Sequence, residues 1–126
     1  MTHVDRVRAL LAELDQACVL HEGDPVGLPK VYFIQAGDDG PIKIGHAMSP
    51  HARIWDLQAG NHVRLRLLAE IPGTEAAERA AHEAFSGQRI RGEWFRNEPP
   101  LSTFVALLTD PQPGGVARWV RETFAQ

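Results

Sequence analysis

Val31-Tyr32-Phe33-Ile34-Gln35-Ala36-Gly37, followed by Asp38-Asp39-Gly40 and then Pro41-Ile42-Lys43-Ile44-Gly45, sets two short β-prone runs around an Asp/Gly cluster. That is the local signature of a β-hairpin. Side chains alternate along a strand, so the loop length sets which residues share a face. A loop of two or four residues places Tyr32 and Lys43 together; a three-residue loop separates them. A phenol and an ammonium on one sheet face can do chemistry. The same residues also fit an ordinary hairpin, with tyrosine as a sheet aromatic and lysine as a solvated edge residue.

Beyond the hairpin, Ser49-Pro50 starts a helix, with serine as N-cap and proline at the first helical position. It runs to about Ala59, and Gly60 stops it. Arg64, Leu65, Arg66 and Leu67 alternate, so residues 64–71 read as a third strand, ended by Pro72-Gly73. Thr74 caps a helix from Glu75 to about Ser86, in which Ala77, Ala81, Ala84 and Phe85 form the apolar stripe. Glu78 and His82, one turn apart, lie along the edge of that stripe. A carboxylate there suits a metal ligand; the pair also suits a helical salt link or a partly exposed pair. Trp94 and Phe95 follow Arg89-Ile90-Arg91-Gly92-Glu93, and at least one of the two aromatics belongs in the core.

Pro99-Pro100 opens a short helix over 101–109, and a last helix bears Val116, Trp119, Val120 and Phe124. On the other side of the hairpin, residues 4–20 read as an amphipathic helix and 22–29 as a Gly/Pro-rich loop. The expected fold is α+β: a small antiparallel three-stranded sheet flanked by helices. The expected organisation is an N-terminal helix and loop over 1–29, a core over 30–97, and a C-terminal helical extension over 98–126.

A chain of 126 residues fits one domain with a real core. No apolar run is long enough to cross a bilayer. Charged residues Asp5, Arg6, Arg8, Glu13 and Asp15 are unlike a signal peptide. The single cysteine, Cys18, excludes an internal disulfide and a cysteine-rich zinc site. The expected compartment is the cytoplasm. The net charge of −3 gives no general support for nucleic-acid binding. Its distribution is more informative. Residues 1–40 hold three basic and seven acidic side chains, whereas 41–97 hold eight basic and six acidic, and seven of those eight are arginine. Arginine grips phosphate through a planar fork.

The element order β-β-α-β-α, with Tyr32 on the first strand and Gly45 ending the second, resembles the GIY-YIG endonuclease superfamily. Tyr32 matches the first motif tyrosine, Lys43-Ile44-Gly45 the second motif, Arg53 the arginine of the next helix, and Glu78 the metal-binding glutamate. Residues 78–85, followed by 89–95, resemble one branch, shared by a bacteriophage DNA-binding domain and products of meiotically up-regulated genes. The likeness covers residues 31–96, about half of the chain. Three departures stand out. Lys30 and Val31 precede Tyr32 in place of glycine-isoleucine, lysine replaces the second tyrosine, and the late asparagine of many members has no clear match.

The resemblance implies a metal-dependent endonuclease acting on DNA, with Tyr32, Lys43, Arg53 and Glu78 at the catalytic site. Glu78 would hold Mg²⁺ or Mn²⁺, a hard cation that takes oxygen ligands and keeps several waters. Arg53 would neutralise charge on the scissile phosphate, and Tyr32 would act as general base or place the water. A cation beside a phenol favours its ionised form, which is the role expected of Lys43. His46 and His82 are secondary candidates, for proton relay or phosphate contact, or are simply structural. Arg64, Arg66, Arg89 and Arg91 would track the DNA backbone without reading sequence. No zinc module or helix-turn-helix is evident, so specificity would come from a protein partner or the terminal helices. Two other readings are a DNA-binding module that does not cut, and a protein-interaction domain with a decayed site.

Overall fold

A computed structural model describes residues 29–109. The helix expected over 4–20, nearly all of the loop after it, and the last helix lie outside the described residues. The elements are β1 (Lys30–Ala36), β2 (Ile42–Ala47), α1 (Pro50–Ala59), β3 (Leu65–Pro72), α2 (Glu75–Ala84), a 3₁₀ turn (Ser86–Gln88), β4 (Arg89–Arg91), β5 (Trp94–Phe95) and α3 (Leu101–Thr109). The class is α+β, as expected.

The β1–β2 loop has four residues, 37–40, and is closed by Ala36 N–H donating to Pro41 O at 3.0 Å. Tyr32 therefore pairs with Gly45 and Ile34 with Lys43, which puts Tyr32 and Lys43 on one face. The sheet has five antiparallel strands in the order β3-β1-β2-β5-β4, not three. The two extra strands have three and two residues, too short for any periodicity to show. Their turn is Gly92-Glu93, with Gly92 at φ +57° and no non-glycine residue at positive φ among those described. Glycine at the first central position is what a type II′ hairpin requires.

The two faces bury different helices. On the first, Tyr32, Ile34 and Leu65 pack with Leu67, Trp94 and, from α1, Ile54 and Leu57. On the second, Val31, Phe33, Ile42, Ile44, Ile71 and Phe95 pack against α2 and α3. A β-bulge in β3 allows both. Phe33 pairs with Ala69 but Ile34 with Leu67, leaving Leu68 as the extra residue. This is why the alternation read from Arg64 onward stops at Leu67: the bulge shifts Ala69 and Ile71 to the other face.

The alanine stripe behaves as read. Ala77, Ala81 and Ala84 are fully buried, as is Phe85 just beyond the helix. The short methyl side chains let α2 lie close against the sheet. The same core extends past residue 97. Phe104 of α3 is fully buried, edge-on to Phe33 with centroids 6.0 Å apart and 5.4 Å from Phe85. Helix α3 is thus a wall of the core and not an appendage to it. No helix among the described residues is long and apolar enough to cross a membrane.

Candidate functional site

The site forms where β2 loses its neighbour. Along β2, strand β5 pairs only with Ile42 and Lys43, and Glu93 O accepts the Ile44 N–H at 2.9 Å. From Gly45 onward no described strand covers that edge. Tyr32 leans from β1 across Gly45. A Cβ built on Gly45 would come within 2.9 Å of Tyr32 Cε1 and closer still to Cζ and the hydroxyl oxygen. The missing side chain is what lets the phenol lie over the strand, with the residue as a whole only 1% exposed.

His46 follows on the opposite face. Its Nδ1 makes a short hydrogen-bonded contact with Glu78 Oε2 of α2. His82 Nε2–H donates to Ile44 O at 2.8 Å and stands 3.7 Å from Glu78 Oε1, with its ring against Phe95 at 5.1 Å. The i,i+4 pair Glu78–His82 thus faces the sheet. Lys43 Nζ bonds Glu93 Oε1 at 2.8 Å and lies 5.7 Å from the Trp94 ring centroid. Burial pushes the Glu93 carboxyl up, but the hydrogen bond and charge of Lys43, helped by His82 and a hydrogen bond with Glu78, outweigh it. The group titrates below its ordinary range.

Tyr32, Lys43 and the helix carrying Arg53 therefore lie on the first face, and Glu78, His46 and His82 on the second. The resemblance implies one catalytic site for all four main residues; the sheet instead puts Glu78 on the opposite side from Tyr32, and Tyr32 is buried. Lys43 also departs from expectation, because its charge is matched by Glu93. The arginines divide. Arg53, Arg64 and Arg91 are exposed and have no ion pair among the described residues. Arg66 donates to Gln35 Oε1 at 2.9 Å and Asp38 O at 3.3 Å, and Arg89 to Gly92 O at 2.9 Å. These two brace turns.

Residues 30–120 match the T5orf172 domain. The chain belongs to the T5orf172 domain family. This is a phage-derived, DNA-binding and GIY-YIG-like family related to endonucleases. No curated protein and no solved structure matches the chain. The T5orf172 match begins with β1 and runs beyond α3, in keeping with α3 as part of the core.

The donor set of this T5orf172 domain fits one kind of metal. No group of three or more His, Cys, Asp or Glu able to hold an ion exists among the described residues, which does not fit a structural zinc. Two carboxyls, Glu78 and Glu93, with side chains 12% and 40% exposed, fit a hard cation that takes one or two carboxylates and keeps its waters. Glu93 and Trp94 are the site residues that sequence reasoning missed. The signal was the glycine before Glu93, which marks a tight turn, but only the pairing of a two-residue strand brings that turn to β2.

Proposed function

We propose that this domain is a metal-dependent endonuclease that hydrolyses DNA phosphodiester bonds with low intrinsic sequence specificity. One observation carries the reading: the Tyr32 phenol lies over Gly45 and the Glu78 carboxylate touches the next residue, His46. A base and a metal ligand thus flank one open strand edge, on a domain of a DNA-binding family. Glu78, with Glu93 beside it, would hold Mg²⁺ or Mn²⁺. When bound, that ion supplies charge stabilisation at the leaving 3′ oxygen.

The chain's own residues do the rest. Tyr32 places or deprotonates the attacking water, and Arg53 neutralises charge developing on the phosphate. His46, with its side chain 39% exposed at the open edge, serves proton relay or phosphate contact. His82 holds Glu78 and Ile44 in place. Arg64 and Arg91 meet the DNA backbone as unpaired cations, joined by Arg66 and Arg89 at the cost of their turn contacts. Specificity comes from a protein partner or the terminal helices, and the setting is cytoplasmic.

A second reading, binding without cutting, is favoured by one feature: the sheet separates Tyr32 from Glu78, whose carboxylate is bonded by His46. Incubation with supercoiled plasmid separates the two. Nicking with Mg²⁺ or Mn²⁺ that stops with chelator supports the nuclease. DNA binding with no cutting of plasmid, duplex or branched substrates in either metal refutes it.

A further inference from the structure

We infer that Trp55 is a stacking post for an unpaired nucleobase, so that the domain favours DNA with an unpaired strand (a flap, gap or branch) over plain duplex. The inference rests on the DNA reading of the domain and adds a substrate class to it. Trp55 is 80% exposed, more than any other large apolar side chain among the described residues. It has no hydrogen bond and no ring partner among those residues. The packing of α1 puts it there. Ile54 and Leu57 turn down onto Tyr32 and Ile34, and Trp55 lies about 100° round the helix from Ile54 and about 160° from Leu57, off the packed face. His51, Ala52 and Ala59, three or four residues away, are exposed too, and the two alanines are too short to cover an indole. Gln58, the remaining neighbour at that spacing, is committed elsewhere: Nε2 donates to Asn61 O at 3.0 Å and Val63 O at 2.9 Å, and Oε1 accepts the Leu65 N–H at 2.8 Å. Those bonds tie the end of α1 to β3, while Ser49 Oγ caps its start by accepting the Ala52 N–H at 3.3 Å. The ring is held out on a helix fixed at both ends.

Charge and area decide what meets it. Residues 40–69 carry Lys43, Arg53, Arg64, Arg66 and three histidines against a single acid, Asp56. That balance suits a polyanion. Single-stranded nucleic acid takes such a surface, with phosphates on the cations and a base on the ring. Arg53 lies about 160° round α1 from Trp55, so a strand crossing the outer side of the helix meets the cation and then the ring. A dimer does not fit. One aromatic side chain buries about 150–250 Å², and Met48, 60% exposed just before α1, adds little toward the roughly 800 Å² per partner of a stable interface. Plain duplex does not fit either, because its base faces lie against one another and only an unstacked base offers a face to an aromatic side chain.

The test measures affinity in chelator for a duplex and for the same duplex carrying a single-stranded thymidine flap, in wild type, Trp55→Ala and Trp55→Phe. Trp55→Ala is expected to weaken flap binding by about 5- to 150-fold, the loss of one base stack, and to leave duplex binding nearly unchanged. Trp55→Phe keeps a ring and should recover part of the loss. The slope of log affinity against log salt should stay as in wild type, because no phosphate contact is removed. Substitution at so exposed a position leaves the fold intact; if Trp55→Ala nonetheless fails to fold, Trp55→Phe carries the comparison with a smaller loss on the flap. Equal loss on duplex and flap, no loss on either, or a salt slope that falls in step with affinity overturns the inference. So does sedimentation that finds wild type dimeric and Trp55→Ala monomeric, or a lowered melting temperature with flap binding unchanged, which would place the ring against a terminal segment of the chain. The nuclease reading fails separately: a wild type that never cuts but prefers the flap through Trp55 ends that reading and keeps this one, and a wild type that cuts with no effect of Trp55 on binding does the reverse.

Discussion

Alanine at position 45 puts a methyl group where the Tyr32 phenol lies. The new Cβ meets Cε1 within 2.9 Å and Cζ and the hydroxyl oxygen more closely, so the ring has to move. It has little room, since Tyr32 and its neighbour Ile34 are both buried beneath α1. Overpacking of this kind costs about 1–3 kcal/mol. For a domain of this size each kcal/mol lowers Tm by about 4 °C. Tyr32→Phe does not relieve the clash, because Cζ and Cε1 remain. Tyr32→Ala does. In that background Gly45→Ala should be neutral, or stabilising by about 0.5–1 kcal/mol, since alanine is the better strand residue. Urea unfolding of the four proteins in the cycle measures the coupling. If Gly45→Ala costs as much without the ring as with it, the phenol does not lie over Gly45 and the geometry of the site is wrong.

Tyr32→Phe removes only the hydroxyl; single-turnover cleavage should slow by about 10²- to 10⁴-fold, the usual contribution of a general base, with DNA affinity and melting temperature nearly unchanged. Phe104→Ala should destabilise by about 3–5 kcal/mol in urea unfolding, because the ring is fully buried between Phe33 and Phe85; a loss near zero would make α3 dispensable to the core. The lowered Glu93 carboxyl makes stability depend on acid: the Lys43–Glu93 pair contributes fully above the ordinary carboxylate range and is lost as pH falls through the folded value, below 4.5. With the Glu93 side chain 40% exposed, screening limits this to about 0.5–1 kcal/mol, and acid titration of unfolding in wild type against Glu93→Gln reads the difference.

The hairpin was legible because Asp38, Asp39 and the flanking glycines mark a loop, and an even loop length dictates that Tyr32 and Lys43 share a face. The buried face of α2 was legible because alanines recur at helical spacing among charges. The strands over 89–91 and 94–95 were not, because two or three residues carry no period. The bulge at Leu68 was equally hidden, since it depends on which residue of β3 is left unpaired. Glu78 and His82 could be read as neighbours from their i,i+4 spacing. Which face of the sheet they would meet could not, because that follows from how α2 crosses the sheet after β3. The partner of Lys43 is hidden for a related reason: Glu93 lies fifty positions away on a turn placed by pairing and not by local pattern. The expected core ends at residue 97, yet Leu101, Phe104 and Val105 carry it further.

The central claim is that Glu78 serves cutting and not DNA binding, and Glu78→Ala tests it most directly. Single-turnover cleavage with Mg²⁺ and DNA affinity in chelator are measured on the same preparation. The substitution deletes a metal ligand and also a negative charge facing a polyanion, so the account predicts cleavage lost with affinity kept or raised. Cleavage persisting at the wild-type rate, or falling only in step with affinity, would contradict it.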